Sequence, residues 1–413
     1  MRILIVSQYF WPESFRVNEL ASELVARGHE VTVLTGLPNY PSGKISPDYR
    51  KGAKSFQRYG GATIVRVPVI PRGQNRVLLA LNYLSFVLFG STVGVWKLRR
   101  ERFDVVFAFL VSPITAALPA LLVGRLKKAP ATIWILDLWP ETLAALGVVR
   151  SRFIIGCVGS LVSFIYRRSA RIFVQSQAFV SSVVRYGGDA AHVCYFPGWA
   201  EQVFDRPAVN AGAAPEFSAY AGKFKILFAG NIGDAQDFPA ILDAIETLRD
   251  RTDIHWIIMG DGRAKSQVVS QVEARGLSGV VSLFGQYPID RMPSFFAAAD
   301  ALLVSLKAGS IFDLTIPGKV QSYLAAGVPI LGMLDGEGAR VIEESGAGLV
   351  CPAGKGTELA RQVLRLIEAP AGTLAEMGGR GRAYAAREFN RERLIDRLEQ
   401  ALLEVVGRES VDR

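Results

Sequence analysis

Short apolar runs alternate with amphipathic stretches along almost the whole sequence, and this alternation constrains the fold more than any other feature. Between the runs, apolar residues recur every three or four positions, as in the helix predicted to end at Gly28. Such alternation is typical of a parallel sheet with helices on both faces. The predicted strands are Ile3–Val6, Val31–Leu34, Thr63–Val67, Val105–Phe109, Thr132–Leu136, Arg171–Val174, His192–Phe196, Lys225–Ala229, Ile254–Met259, Val280–Phe284, Ala301–Ser305, Pro329–Leu331 and Leu349–Cys351.

An irregular segment divides this alternation into two series. Residues 201–222 contain Pro207, Pro215 and a run of Ala and Gly, which indicates a linker. We therefore predict an α/β protein with two Rossmann-like domains, residues 1–200 and 223–390, and a cleft between them. Residues 391–413 are predicted to form a C-terminal helix that could pack back on the first domain. Ligands of such sheets bind beyond the carboxyl ends of the strands.

The composition excludes several classes of protein and of site. Half of the 413 residues are hydrophobic and 21% are charged, which excludes a disordered chain, a collagen-like chain and a small disulfide-stapled scaffold. Three distant cysteines and only three histidines argue against a disulfide framework and against a zinc or His-based metal centre. The N-terminal segment lacks a signal-peptide layout, so a cytoplasmic location is expected.

The net charge of +9 is concentrated in the first half of the chain. Residues 1–200 carry 24 Lys and Arg against 10 Asp and Glu, whereas residues 201–413 carry 23 against 28. A basic half predicts an anionic partner, which could be nucleic acid, an anionic membrane surface or an anionic ligand. Because the basic residues bracket apolar runs rather than interleaving with exposed aromatic residues, no nucleic-acid partner is expected.

Two apolar runs in the basic half raise the question of a membrane. Val77–Trp96 has no charged residue over twenty positions and is long enough to span a bilayer. Its polar residues, such as Asn82 and Ser85, and its basic flanks on both sides argue against a span. Phe153–Tyr166 is too short to span. Two interpretations remain for both runs: buried core helices, or interfacial helices whose flanking Arg and Lys reach phosphate head groups.

Two glycine motifs follow consecutive strands of the second series. Gly230-Asn231-Ile232-Gly233 comes after Lys225–Ala229, and Gly260-Asp261-Gly262 comes after Ile254–Met259. Glycines at these places could let backbone N–H groups approach a phosphate near a helix N-terminus, or they could simply form tight turns. The two motifs on one sheet together predict a nucleotide site.

The segment from Pro317 to Ile330 carries the most informative cation of the sequence. Pro317 suits the first turn of a helix, and Lys319 follows just inside it. A lysine near a helix start runs against the preference of the helix dipole for anions, so Lys319 is predicted to face a bound anion. A solvated surface lysine is the alternative.

In the first series, polar and aromatic residues follow the strands. Asp137 and Glu141 come after Thr132–Leu136, in a loop at the carboxyl ends where function collects, although Asp137 could also cap a helix. The aromatic residues of these loops could stack on a sugar or line the core. The remaining loop residues considered for acceptor binding are Trp11, Glu13, Arg16, Asn39 and Tyr40.

Taken in order, these motifs resemble those of the family 4 glycosyltransferases with the GT-B fold, over nearly the whole chain. The resemblance rests on three features: the segment Arg27-Gly28-His29-Glu30-Val31, where the first predicted helix ends; both glycine motifs; and the segment Ala325-Ala326-Gly327-Val328-Pro329. More narrowly, the chain resembles the bacterial N-acetyl-L-fucosamine transferases of surface-polysaccharide (O-antigen and lipopolysaccharide) assembly. The segments that resemble them are SQYFWPE, GLPNYPSGK, LDLWPE, GNIGDAQ and IPGKVQSYLAAGVPIL.

The resemblance implies a specific reaction. It implies retaining transfer of an N-acetylated deoxyamino sugar from UDP to a polyprenyl-diphosphate-linked saccharide, without a metal ion or other cofactor. The enzyme would act as a peripheral protein on the inner face of the cytoplasmic membrane. Three alternatives stay open: a GT-B epimerase, a transferase with a soluble acceptor, and a nucleotide-sugar-binding assembly protein without transferase activity.

The sequence departs from the family pattern in three places. The basic residue that often follows the first glycine of the phosphate loop is here Asn231, so Lys319, and after it Arg263, is predicted to supply the cation. The family's paired glutamates correspond to Leu314 and Ser322, and no histidine precedes Asp137. The predicted catalytic residues are Asp137 and Lys319; the predicted donor-binding residues are Gly230, Asn231, Gly233, Gly260, Asp261, Gly262, Arg263, Asp313, Gln321 and Ser322; and the predicted acceptor-binding residues are Trp11, Glu13, Arg16, Asn39, Tyr40 and Glu141.

Overall fold

Every apolar run predicted to be a strand forms one in the computed structural model, which describes residues 1–45, 47–52, 56–73, 75–145, 147, 149, 151–204 and 214–411. The contacts divide the chain into two units, each with its own sheet. Unit 1 comprises Met1–Pro197 and Glu392–Arg413, and unit 2 comprises Gly198–Arg391. Both sheets have helices on their faces, so the fold is α/β as expected.

Unit 1 contains an eight-stranded sheet in the order β3-β4-β2-β1-β5-β6-β7-β8. All neighbouring strands are parallel except β3, which runs antiparallel to β4 and was not predicted because it has only two residues. The strands are β1 Arg2–Val6, β2 Glu30–Gly36, β3 Arg58–Tyr59, β4 Ala62–Val67, β5 Val105–Leu110, β6 Ala131–Ile135, β7 Arg171–Val174 and β8 Val193–Tyr195.

The helices of unit 1 connect these strands, and the last helix of the chain joins them. Arg27 pairs with Asp396, His29 Nε2 lies 2.9 Å from Glu399 Oε1, and Arg171 Nη1 lies 3.2 Å from Glu404 Oε2. The helices are α1 Arg16–Ala26, α2 Pro47–Gly52, α3 Arg76–Phe89, α4 Val95–Lys97, α5 Ala117–Lys127, α6 Glu141–Ala145, α7 Arg152–Arg168, α8 Phe179–Arg185 and α17 Arg391–Val411.

The first apolar run is not one regular helix. A π-helical turn, Gly90–Gly94, separates α3 from α4. A Cβ on Gly90 would lie 2.9 Å from Pro119 Cγ, and one on Gly94 would lie 3.1 Å from Leu34 Cδ1, so the glycines allow close packing there. In the described part of the chain, Val77–Lys97 is the one helical stretch long and apolar enough to cross a membrane by length and composition alone, and 28% of it is buried.

Unit 2 contains a six-stranded, wholly parallel sheet in the order β11-β10-β9-β12-β13-β14. Its strands are β9 Phe224–Ala229, β10 Ile254–Met259, β11 Val281–Phe284, β12 Ala301–Ser305, β13 Ile330–Met333 and β14 Gly348–Cys351. Its helices are α9 Phe238–Thr247, α10 Lys265–Ala274, α11 Met292–Ala297, α12 Ser310–Asp313, α13 Gly318–Ala326, α14 Gly336–Ser345, α15 Gly356–Ile367 and α16 Thr373–Glu388.

Part of the segment predicted to be a linker belongs to the core of unit 2. The ring of Phe204 stacks on that of Phe296 at 5.2 Å, and Phe217 contacts Phe295 at 5.4 Å. Both linker aromatics are buried, because they cover apolar side chains that would otherwise meet water. Residues 205–213 of the predicted linker lie outside the described residues.

Candidate active site

At the carboxyl edge of the unit 2 sheet, the two glycine motifs contact each other directly. A Cβ on Gly260 would lie 1.9 Å from the carbonyl oxygen of Gly230, and one on Gly262 would lie 2.2 Å from that of Ile232. Both residues also have a positive φ, +140° for Gly260 and +156° for Gly262, which favours glycine. The glycines are therefore required by the close approach of the two loops.

The amide groups of these glycines are already used within the protein. The N–H of Gly230 donates to Met259 O at 2.9 Å, and that of Gly260 to Gly285 O at 3.2 Å. Gly233 donates to Gln236 Oε1 at 3.1 Å, and Gly262 to the side chain of Asp261 at 2.8 Å. These amides do not form the open phosphate cradle that the sequence allowed, so an anion here needs another donor.

Lys319, near the start of α13, is a buried cation at this edge, and its Nζ has no hydrogen-bond partner within the described residues. Its Nζ is buried, and it lies 3.4 Å from the centroid of the Phe228 ring. A Cβ on Gly230 would lie 2.6 Å from Lys319 Cε, so the glycine makes room for this side chain. Burial lowers the pKa of Lys319 to about 7, because a charged amine loses its hydration there. A bound anion would restore the favourable environment that the ammonium lacks.

The other predicted donor-binding residues surround these loops in different ways. Asn231 Nδ2 donates to Gln236 Oε1 at 3.4 Å, whereas Arg263 is exposed and forms no ion pair within the described residues. Gln321 is buried on α13. Burial, together with the neighbouring Asp335 carboxylate, raises the pKa of Asp313.

Ser322 occupies the position of a family glutamate, and a carboxylate from elsewhere in the chain contacts it. The hydroxyl of Ser322 donates to Glu201 Oε2 at 2.6 Å. Glu201 is separated from Ser322 by 121 residues in the sequence, so no local pattern could have identified this pair. The structure thus brings an acidic side chain to the position where α13 itself has none.

At the carboxyl edge of the unit 1 sheet, Asp137 follows β6 and is half-buried. No hydrogen bond or ion pair to its carboxylate is found within the described residues. Burial raises the pKa of Asp137 to about 6. The Asp137 charge acts on Tyr83, whose pKa is raised by burial and, to a smaller extent, by this carboxylate. An unpaired carboxylate with a pKa near neutrality is suited to accept a proton.

Glu13, predicted to bind the acceptor, connects two loops through three hydrogen bonds. Its Oε1 accepts hydrogen bonds from the N–H groups of Asn39 and Tyr40, both at 2.7 Å. Its Oε2 accepts one from the N–H of Phe10 at 3.1 Å. Burial raises the pKa of Glu13, and the three amides oppose that effect. The carboxylate therefore holds the loop after β2 against the loop after β1.

The loops held by Glu13 present an aromatic surface with one arginine. Tyr40 is exposed and lies 5.2 Å from Phe15, ring to ring, and 5.2 Å from the Arg72 guanidinium. Asn39 Oδ1 accepts the N–H of Arg72 at 3.0 Å. Arg72 also lies close enough to Tyr83 to oppose the rise in its pKa. Neither Arg72 nor Tyr83 was predicted to belong to the site, because each lies far in the sequence from the other loops.

Three predicted acceptor residues have other surroundings. Glu141 Oε1 accepts a hydrogen bond from Ser182 on α8, so this carboxylate faces α8. Trp11 packs on the rings of Phe56 and Tyr59, at 4.8 and 5.3 Å. Arg16 is half-buried at the start of α1. In the part of the chain that the structure describes, no group of three or more His, Cys, Asp and Glu could hold a metal ion.

Two family models match most of the chain. Residues 14–199 match the glycosyl transferase 4-like domain, and residues 223–369 match glycosyl transferases group 1. The two matches correspond to the two sheet-containing parts of the chain, and their order along the chain is the order of the two predicted domains.

Curated relatives are also glycosyltransferases. WcaI of Escherichia coli (strain K12), assigned to colanic acid biosynthesis as a glycosyl transferase, is 26% identical over 79% of this chain and 82% of its own length. WbjE of Pseudomonas aeruginosa, assigned as a glycosyltransferase, is 29% identical over 71% of this chain and 72% of its own length.

Solved structures of the same fold cover nearly the whole chain. Anabaena HepE in complex with UDP matches with a TM-score of 0.71 at 15% identity, over 98% of this chain and all of that one. The sucrose-phosphate synthase of Thermosynechococcus elongatus matches with a TM-score of 0.73 at 14% identity, again over 98% of this chain. These similarities show the GT-B fold.

Proposed function

Because this chain belongs to the glycosyltransferases of the GT-B fold, we propose that it transfers N-acetyl-L-fucosamine from UDP to a polyprenyl-diphosphate-linked saccharide. The anomeric configuration of the sugar would be retained, and the product would serve bacterial surface-polysaccharide (O-antigen) assembly. The sequence motifs support this sugar, and the similarity to a colanic acid biosynthesis protein supports the pathway class. The complexes of HepE with UDP and with UDP-glucose support UDP as the carrier.

The observation that carries the proposal is the unpaired, buried ammonium of Lys319 at the carboxyl edge of the unit 2 sheet. A leaving nucleoside diphosphate gains negative charge as the sugar departs, and a preorganised cation stabilises that charge most strongly where water is excluded. Since these four glycine amides are already engaged, the buried Lys319 ammonium is the group that we propose responds to the diphosphate.

Asp137 would act on the acceptor hydroxyl. In the transfer, the bond between the anomeric carbon and the UDP oxygen breaks, and a new bond forms between that carbon and the acceptor oxygen. The acceptor loses its hydroxyl proton, which the Asp137 carboxylate accepts, and the electron pair of the broken bond leaves with UDP. The pKa of about 6 makes Asp137 ionised at neutral pH and basic enough for this role.

Glu201 would replace the missing family glutamate in binding the donor. Its carboxylate is oriented by the Ser322 hydroxyl and retains acceptor capacity on its other oxygen. Ribose and sugar hydroxyls are donors that match such a carboxylate. At the unit 1 edge, Tyr40 and Arg72 would contact the acceptor, with the ring against a sugar and the guanidinium against a phosphate.

The lipid-linked acceptor requires the enzyme to work at the membrane surface. We propose peripheral attachment on the cytoplasmic side, supported by the basic first half of the chain. Binding to anionic vesicles should then weaken steeply as salt is raised. Extraction by alkaline carbonate separates this from insertion: a protein that stays in the membrane pellet would make Val77–Trp96 a span.

A single experiment tests donor and acceptor together. Purified enzyme is incubated with a panel of UDP-sugars and a bacterial lipid extract, and the lipid products are analysed by mass and by anomeric NMR coupling. UDP release with one deoxyamino-sugar product of retained configuration would support the proposal. UDP binding without release would indicate a binding protein, and a changed UDP-sugar without acceptor would indicate an epimerase.

A further inference from the structure

Three helices of unit 1 cover one face of the eight-stranded sheet. The crossovers from β4 to β5, β5 to β6 and β6 to β7 all advance in the same direction along the sheet. Right-handed connections of this kind place α3, α5 and α7 on the same face. In agreement, α5 contacts both the π-helical turn after α3 and α7. We call these three helices, with the π-helical turn and α4, the helix layer.

The outer side of the helix layer is unusually apolar. Phe153 at the start of α7 is 80% exposed, Val77 on α3 is 68% exposed, and Trp96 on α4 is 61% exposed. Single exposed apolar residues are normal, but on α3 they recur at positions 77, 81, 84 and 88, which lie on one side of the helix. The exposed large apolar residues of the helix layer are Val77, Leu81, Leu84, Leu88, Trp96, Leu126, Phe153, Ile154 and Phe164.

A groove of about 880 Å³ lies between α5 and α7. Apolar side chains of both helices line it, among them Leu118, Leu122 and Phe164, and no Asp or Glu is among its lining residues. It opens at the amino ends of β6 and β7, marked by the lining residues Ala131 and Ala170, whereas Asp137 lies beyond the carboxyl end of β6. The groove is therefore separate from the candidate active site.

Four basic residues line this groove: Arg125, Lys128, Arg167 and Arg168. Basic residues at helix C-termini are favoured by the helix dipole, and this alone could explain their position. It does not explain why Arg125, Arg167 and Arg168 form no ion pair within the described residues, nor why they surround an apolar groove. The lining therefore combines uncompensated positive charge with apolar surface.

The backbone at Lys128 supports a role for its charge. Lys128 ends α5 in the left-handed conformation, with φ +54° and ψ +41°, where glycine is the unstrained residue. Arg167 is held over Gly187, where a Cβ would lie 2.7 Å from its Nε. One cation is thus retained at a strained position, and another is oriented by a glycine.

We propose that this groove binds the phosphate headgroup of an anionic phospholipid while the helix layer lies against the bilayer surface. The inference rests on the proposed function, because a lipid-linked acceptor gives the enzyme a reason to be at the membrane. Phosphate oxygens complement the four cations, and the adjoining acyl chains complement the leucines and Phe164. A soluble anion would neutralise the groove cations, but the apolar walls of the groove and the outer side of the helix layer would still face water.

The test compares two double variants of the full-length protein that lose the same charge. Lys128→Gly/Arg167→Gln removes two groove cations, and the glycine relieves the strain at residue 128, so folding should be preserved. Arg58→Gln/Arg185→Gln removes two exposed arginines of the same unit that do not line the groove. Binding is measured by sedimentation with vesicles of phosphatidylglycerol and phosphatidylcholine, and with phosphatidylcholine alone.

The groove variant should lose at least tenfold in partitioning to the mixed vesicles, and the control variant less than threefold. Equal losses in the two variants would contradict headgroup binding in the groove and leave only general electrostatic attraction. If the wild-type protein did not bind the mixed vesicles, the proposal that the helix layer lies on the bilayer would be wrong. Inorganic phosphate and dihexanoyl phosphatidylglycerol are compared as competitors of vesicle binding. If millimolar phosphate competes as strongly as the short-chain lipid, the ligand is not a lipid. UDP binding is measured in parallel: loss of vesicle binding by the groove variant with UDP binding intact supports the groove and shows that the variant is folded. Wild-type binding to the mixed vesicles without sugar transfer is a failure of the proposed function alone.

Discussion

Within the described residues, the carboxyl edge of each sheet has an ionisable side chain that is at least partly buried and has no hydrogen-bond partner, and these two side chains have opposite charge. In unit 1 this residue is Asp137, whose pKa is raised by burial to about 6; in unit 2 it is Lys319, whose pKa is lowered by burial to about 7. Both shifts bring the group toward neutrality, since desolvation disfavours the charged form of either residue. Structural ionisable groups are usually paired, as Arg2 is with Asp104. This difference supports the proposed division of roles, with proton transfer at the unit 1 edge and anion stabilisation at the unit 2 edge.

The surroundings of these two residues differ as much as their charges. The unit 1 edge is built from aromatic loops tied together by Glu13, which suits a carbohydrate surface. The unit 2 edge is built from two glycine loops in backbone contact, which leave space for Lys319.

Lys319→Met gives the largest expected effect on this comparison. The loss of a cation that stabilises the leaving diphosphate should lower kcat/KM by a factor of about 10² to 10³. The melting temperature should not fall, because methionine fills the same space over Phe228 without a desolvated charge. Lys355→Met, at an exposed lysine of the same unit, is the control and should change neither quantity. Normal turnover in Lys319→Met would remove this residue from the site.

Asp137→Asn should have the next largest effect, with activity and stability moving in opposite directions. Loss of the proton acceptor should lower kcat by a factor of about 10 to 10². The pKa of Asp137 is higher in the folded protein than its ordinary 3.8, so the wild type gains stability as pH falls through 6 toward 4. At pH 7 the variant should be more stable by roughly 1–2 kcal/mol, which denaturant unfolding would measure.

The matched control for that change is Asp104→Asn. The Arg2 guanidinium lowers the pKa of Asp104, so removing this carboxylate should destabilise the protein at pH 7 and leave turnover unchanged. If both asparagine variants lost stability at pH 7, Asp137 would have a partner in solution and the contrast between the two edges would disappear.

The pH dependence of UDP binding should sharpen the comparison. Lys319 must be protonated to attract the diphosphate, so affinity should fall as pH rises above about 7, by up to tenfold per pH unit. In the protein without UDP, the same lowered pKa means that the free energy of unfolding increases as the pH rises from 7 to 10. Calorimetric titration in two buffers of different ionisation enthalpy should detect proton uptake on binding at pH 8. Lys319→Met should bind weakly and show no such uptake; an identical pH profile in both proteins would exclude Lys319 as the titrating group.

Glu201→Gln should give the smallest effect, confined to donor binding. Removing the charge from a carboxylate that accepts substrate hydroxyls should raise KM for the UDP-sugar about tenfold, while kcat changes less than threefold. Ser322→Ala should give a smaller change in the same direction, because it only loosens the orientation of Glu201. A fall in kcat at unchanged KM would contradict the role in donor binding.

The sequence predicted the sheets far better than the site. Arg171–Val174, Ile254–Met259 and Ala301–Ser305 were predicted with their observed bounds, because a buried parallel strand is a continuous apolar run. Lys319 stood out as a candidate, since a lysine after Pro317 at a helix start is locally unusual, and its role stays a prediction. The π-helical turn at Gly90–Gly94 could not, because its glycines depend on Pro119 and Leu34, which lie in other elements.

Local sequence patterns could not predict the roles of residues whose partners lie far away in the sequence. Glu201 contacts Ser322 across 121 positions, and nothing beside Glu201 in the sequence marks it. Glu13 was identified, but its three amide partners in two loops give it a structural role that no spacing predicts. Phe204 and Phe217 looked like linker residues because prolines and alanines surround them, yet the core needs their rings.

The placement of α17 has a consequence for the order in which the protein can be completed during synthesis. Its partners in unit 1, Arg27, His29 and Arg171, precede unit 2 in the sequence, whereas Asp396, Glu399 and Glu404 follow the whole of unit 2. Domains generally fold as units from the N-terminus while the ribosome adds residues. Unit 1 must therefore wait, with that surface uncovered, until all of unit 2 has been translated. A ribosome that stalls anywhere within unit 2 leaves a nascent chain in which neither contact nor burial at this surface can form, and such chains present that surface to chaperones and proteases.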